Sequence, residues 1–192
     1  TMRQSINKDW DELVKLQNQD GGFSWYQGYP SSLSTSLYIL KNLGKINGWL
    51  NTNVKDYQAD NQSELISKLV NYVDQEIGKH WETQNKKPWS NTVFNYLDSR
   101  HYWEQYYPLK SKGLTLKKLV VEQANKAKIQ DFTFFGLHRA ALLFDSYGLE
   151  PVAKKFLTYL KETTTDTKTQ GVYWKQNLND WGWYGSKITN HA

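Results

Sequence analysis

The 192-residue chain (22.5 kDa) carries 39% apolar and 15% aromatic residues, which excludes a disordered tail and is enough to bury a core. It has no cysteine, so disulfide frameworks, thiolate nucleophiles and cysteine-ligated zinc are excluded together, while the compartment is left open. The formal charge is +5, but the lysines are scattered along helical faces rather than gathered in a nucleic-acid stripe. With a mean hydropathy of −0.76, no apolar run approaches the roughly 20 residues of a membrane span.

Helical periodicity dominates from the start. Residues 7–17 place Trp10, Leu13, Val14 and Leu16 at helical spacing, with Asp9, Asp11 and Glu12 in the expected opening turn, where the helix dipole favours acids. Residues 19–30 form a glycine- and proline-marked loop. Ser31 to Ser34 then cap a helix predicted to end near Gly44, with Leu33, Leu37, Leu40 and Leu43 facing inward. Residues 46–60 read as a polar connection. Ser63 opens a helix whose buried stripe is Leu65, Ile66, Leu69, Val70, Tyr72, Val73 and Ile77.

The chain breaks around Pro88. A helix is predicted from Asn91 to Tyr107, where Pro108 stops it, and another over 114–128. Residues 131–147 are apolar on one broad face and end at Gly148, and 149–161 follow at once, which reads as a helical hairpin. The last 22 residues repeat the composition of the first loop. Gly171-Val172-Tyr173-Trp174 matches Gly22-Phe23-Ser24-Trp25, and Ser186 to Thr189 matches the earlier Ser/Thr cap. The expectation is an internal repeat and a chain that forms part of something larger, because repeat units need neighbours to cover their apolar faces.

Several residues invite chemistry. Paired glycines let a ring lie against the backbone, and Phe23 and Trp25 are expected to point to opposite sides of the loop. Such a loop is either an aromatic platform for a sugar or a hydrophobic ligand, or a staple between helical hairpins, and its recurrence favours the staple. Asp20, Asp98, Glu104, Asp131 and Asp180 lie beside aromatics, yet no spacing singles out a glycosidase pair. Asp98, His101 and Glu104 at i, i+3 and i+6 suggest a metal, against a salt-bridged face with Arg100 nearby. His80, His101, His138 and His191 never form an HxxxH or HExxH pattern. The lysines at 110, 112, 117, 118, 126 and 128 alternate with leucine and valine as the wet side of an amphipathic helix.

The string from Leu16 to Trp25, Leu-Gln-Asn-Gln-Asp-Gly-Gly-Phe-Ser-Trp, with Thr35, Tyr38, Leu40 and Leu43 after it, resembles a signature in the thioester-domain region of bacterial alpha-2-macroglobulins. The segment from Gly171-Val172-Tyr173-Trp174 through Trp181-Gly182-Trp183-Tyr184 to Ile188-Thr189 looks like a motif farther along that region, and Leu137 to Leu160 like the hairpin before it. The resemblance spans nearly the whole chain, residues 1–192, as a single segment of a larger multidomain protein.

It implies an all-α partial α/α-toroid of helical hairpins with aromatic-glycine loops. It also implies a non-enzymatic part of a periplasmic or cell-surface protease inhibitor, whose partners are other domains of the same chain and, through the intact protein, proteases. The family's thioester motif, Cys-x-Glu-Gln, is absent from this chain, so no catalytic, cofactor or metal residue carries over. On this reading Phe23, Trp25, Trp174, Trp181 and Trp183 staple helices, and Gly21, Gly22 and Gly171 turn the backbone. The alternatives are a carbohydrate-active or terpenoid enzyme of toroid fold, whose acid motifs and zinc ligands are missing, and a glycan- or protein-binding module.

Overall fold

The computed structural model describes residues 2–53, 62–83, 88–169 and 171–174. The protein is mostly helical, and the chain divides into two compact units, Thr1–Lys118 and Leu119–Ala192. No described helix is long and apolar enough to cross a membrane.

The first unit holds α1 (Met2–Leu16), α2 (Leu33–Asn53), α3 (Gln62–Thr83), α4 (Asn91–His101) and the start of α5 (Ser111–Gln123). Its core is built where α2, α3 and α4 pack on one another. All seven residues of the α3 stripe are buried, as their spacing predicts, and they meet Leu37, Leu40, Leu43 and Leu50 of α2 and Val93, Phe94, Tyr96 and Leu97 of α4 in one apolar interior.

Three boundaries differ from expectation for identifiable reasons. α1 begins earlier, so its acids lie past the first turn. Of its expected stripe only Trp10 is buried, while Val14 and Leu16 are exposed. α2 runs through Gly44 to Asn53 because Gly44 is a packing residue rather than a cap: a Cβ there would stand 2.5 Å from the Tyr102 Cβ. A mid-helix glycine costs about 1 kcal/mol, and here it lets the chain after α4 approach. α4 stops at His101, six residues short, because Trp103 turns inward and its Nε1 donates to the Leu40 carbonyl at 2.9 Å. The Tyr107 carbonyl meanwhile accepts from Arg100 Nη2 at 2.7 Å.

The second unit contains two short 3-10 turns (Ala124–Lys126 and Ile129–Asp131), α6 (Phe134–Ser146), α7 (Glu150–Glu162) and a hairpin of β1 (Thr165–Thr167) and β2 (Gly171–Tyr173). The helix predicted over 114–128 is thus shorter, ending at Gln123. Thr133 caps α6 by accepting from the Gly136 N–H at 3.1 Å, and Gly148 at φ 71° makes the left-handed turn into α7. Leu137, Ala140, Leu143 and Phe144 of α6 interlock with Val152, Ala153, Phe156 and Leu160 of α7 in the helical hairpin read from the sequence. The strand pair has no counterpart in the sequence reading: Thr165 faces Tyr173 and Thr167 faces Gly171 in antiparallel register.

Candidate functional site

The segment from Gln17 to Ser36 is the most heavily braced loop of the first unit. Gly21 sits at φ 87°, and a Cβ there would lie 2.5 Å from the Lys68 carbonyl oxygen, so only glycine fits against α3. Gly22 is required for a different reason: a Cβ would meet Ser31 at 2.6 Å and the Tyr72 ring at 2.7 Å. The Gln17 amide ties the loop to α3, donating to the Gly21 carbonyl at 2.9 Å and to the Leu65 carbonyl at 3.0 Å. Asp20 accepts from the Gly22 N–H at 3.0 Å and from the Ser31 hydroxyl at 2.7 Å. The Phe23 N–H donates to Ser36 Oγ at 2.9 Å, and its carbonyl accepts from the Ser32 N–H at 2.8 Å.

This bracing sorts the aromatics into two sets. Phe23 is buried, at 2% exposure, whereas Trp25 is 64% exposed. The expectation that they point to opposite sides holds, and the expectation that Trp25 staples helices does not: its indole stands in solvent. Tyr26 and Tyr29 are exposed at 73% and 65%, with ring centroids 6.0 Å apart and planes tilted by 59°. The outer part of the loop is held by bonds of its own. Asn18 Nδ2 donates to the Tyr29 carbonyl at 3.1 Å and to Ser31 Oγ at 2.9 Å, and the Ser24 hydroxyl donates to the Tyr26 carbonyl at 2.6 Å.

Trp174 behaves as the staple the sequence suggests. Half-buried, it donates from Nε1 to the Leu160 carbonyl at 2.6 Å and packs on Phe134 and His138 of α6, with centroids 5.6 and 5.4 Å away. Gly171, at φ 70° with open space around its Cα, serves the turn between the two strands. Trp181 and Trp183 lie outside the described residues, as do Asp180, His191 and the cap at Ser186 to Thr189.

The four described candidate carboxylates are spread among separate structural tasks. Asp20 braces the loop, Asp98 pairs with Lys41, Glu104 pairs with Lys117, and Asp131 accepts from the Lys128 N–H at 2.9 Å at the head of a 3-10 turn. The suggested metal set fails on geometry, because α4 ends at His101 and Glu104 is not on that helix. No group of three potential ligands occurs among the described residues.

Arg100, expected beside a salt-bridged surface, is instead fully buried. Its Nε donates to Asp74 Oδ1 at 2.8 Å, and the Tyr96 hydroxyl donates to the same oxygen at 2.7 Å. Burial first, then the Asp74 charge, pushes the Tyr96 hydroxyl far above the ordinary phenol value. The sequence reading missed this pin. Its only signal was an arginine amid apolar neighbours at helical spacing. In the second unit an open hollow of about 410 Å³ is lined by Ile129, Gln130, Phe132, Phe134, Leu137 and Tyr159, a set without a carboxylate or imidazole. No family model, curated protein or solved structure matches the chain.

Proposed function

We propose that the chain is a non-enzymatic framework segment of a bacterial alpha-2-macroglobulin-like protease inhibitor, with its helical hairpins forming part of an α/α-toroid in the intact protein. The observation that carries this reading is the use made of the motif residues. Gln17, Gly21, Gly22 and Phe23, which bear the resemblance, are spent on clamping a loop to α3 and to the start of α2, and Asp20 on bracing that loop from within. Residues consumed by packing suit a part that transmits or resists movement rather than one that turns over a substrate. Trp174 does the same between α6 and α7. Among the described residues, the candidate carboxylates Asp98 and Glu104 are engaged with lysines, Asp20 and Asp131 with backbone N–H groups, and Asp74 with the buried Arg100.

The test uses the full-length natural protein that contains this segment. Incubated with trypsin or chymotrypsin, a trap protects a macromolecular substrate such as casein while the protease still cleaves a small chromogenic peptide, and that split is the expected result. Equal cleavage of casein with and without the protein overturns the reading. A Cys-x-Glu-Gln sequence ahead of residue 1 would add covalent capture, seen as a protease-sized gel shift that survives denaturation. Its absence would leave steric trapping.

A further inference from the structure

We propose that the outer half of the first loop, Trp25, Tyr26 and Tyr29, is a binding site for a neutral oligosaccharide. The inference goes beyond the framework role and does not depend on the inhibitor assignment. Large aromatics are usually hidden, and three of them exposed within five residues call for an explanation. Packing does not supply one, because the clamp to α3 is made by the other half of the loop.

The chemistry of the surroundings narrows the ligand. Residues 21–40 contain no Asp, Glu, Lys, Arg or His, and the neighbouring Asp20 carboxylate is engaged by the Gly22 N–H and the Ser31 hydroxyl, so the segment offers no cation to a phosphate or a nucleic acid. The polar side chains of the stretch around the three rings are hydroxyls and an amide instead, Ser24, Gln27, Ser31 and Ser32. A pyranose ring presents C–H groups on one face and hydroxyls around its edge. It therefore stacks on Trp and Tyr rings while its rim bonds to neutral polar groups.

Size points the same way. Three rings of this kind, each about two-thirds exposed, offer on the order of 300–500 Å² of contact surface. That is well below the roughly 800 Å² per partner of a stable protein interface and suits two or three sugar rings. Tyr26 and Tyr29 pack on each other with centroids 6.0 Å apart and planes tilted by 59°, which fixes the two rings in place while both stay exposed. The bonds from Asn18 and Ser24 hold the loop backbone before any ligand arrives, which lowers the ordering cost of binding.

The 192-residue protein, titrated calorimetrically with cellohexaose, xylohexaose and maltohexaose, should bind at least one of the three. Trp25→Ala and Tyr26→Ala should each weaken that binding at least tenfold with the melting temperature unchanged, while Tyr38→Ala, an exposed aromatic on α2, leaves it unaltered. Binding to none of the three, or undiminished binding by both loop variants, overturns the proposal. So does self-association in sedimentation that Trp25→Ala abolishes, which would make the loop a protein interface.

Discussion

The two aromatic-glycine segments look alike in sequence and do opposite things with their tryptophans. In the first, Gly21 and Gly22 press the chain onto α3, Phe23 enters the core, and Trp25 is left outside. In the second, Gly171 only reverses the chain, Val172 and Tyr173 form a strand edge, and Trp174 reaches back to the Leu160 carbonyl. One pattern, glycine followed by aromatics, therefore serves two local structures. The difference lies in what each segment packs against, α3 in one case and a paired strand beside the α6–α7 hairpin in the other. Over the described residues, 22–25 against 171–174, the expected internal repeat is one of composition and not of geometry.

The contrast can be broken by substitution. Phe23→Ala should have the largest effect, about 3–5 kcal/mol of lost stability in a denaturant titration, because the ring is fully enclosed. A loss below about 0.5 kcal/mol, the level of an ordinary surface change, would mean that the first loop is not the anchor described. Gly21→Ala should cost about 2–3 kcal/mol, since it imposes a left-handed φ on a β-carbon aimed at the Lys68 carbonyl. Trp174→Phe keeps a ring between Phe134 and His138 but removes the donor to Leu160, so about 1 kcal/mol is expected. If Trp174→Phe proves costlier than Phe23→Ala, the ranking of the two segments is reversed.

Alkaline pH gives a finer probe, because it reaches the floor of the first loop. Burial first, then Glu76 and Asp20, pushes the Tyr72 hydroxyl, next to Gly22, up to about 12. The folded value lies above the unfolded one of about 10. The contribution is therefore complete below about pH 10 and disappears as pH rises from about 10 to about 12, with Tyr96 adding to the loss in the same direction. The melting temperature should fall over that window, and Tyr72→Phe should make the fall shallower. An unchanged slope in Tyr72→Phe would show that its hydroxyl does not titrate with unfolding.

Much of the helical framework is legible in the sequence because periodicity reports burial directly: the seven-residue stripe of α3 and the α6–α7 hairpin around Gly148 follow from spacing alone. The candidate site is legible only in part. An extended backbone would put Phe23 and Trp25, two residues apart, on one face; the chain bends at Trp25 and Tyr26 instead, and which ring is covered depends on α3, far along the chain.

Helix ends are the least legible feature. Gly44 carries the mark of a helix stop, yet α2 passes through it, because the contact that demands a missing Cβ comes from Tyr102, distant in sequence. The end of α4 is set by Trp103 and Tyr107 finding partners rather than by Pro108. Spacing within each segment was enough to specify a helical chain, its apolar stripes and its two glycine-aromatic segments, since these depend on neighbours three or four residues apart. Long-range packing settled which tryptophan is a staple and which is offered to solvent, that Arg100 is buried on Asp74, and that Thr165–Thr167 and Gly171–Tyr173 pair as strands. Each of those outcomes depends on contacts beyond the reach of local periodicity.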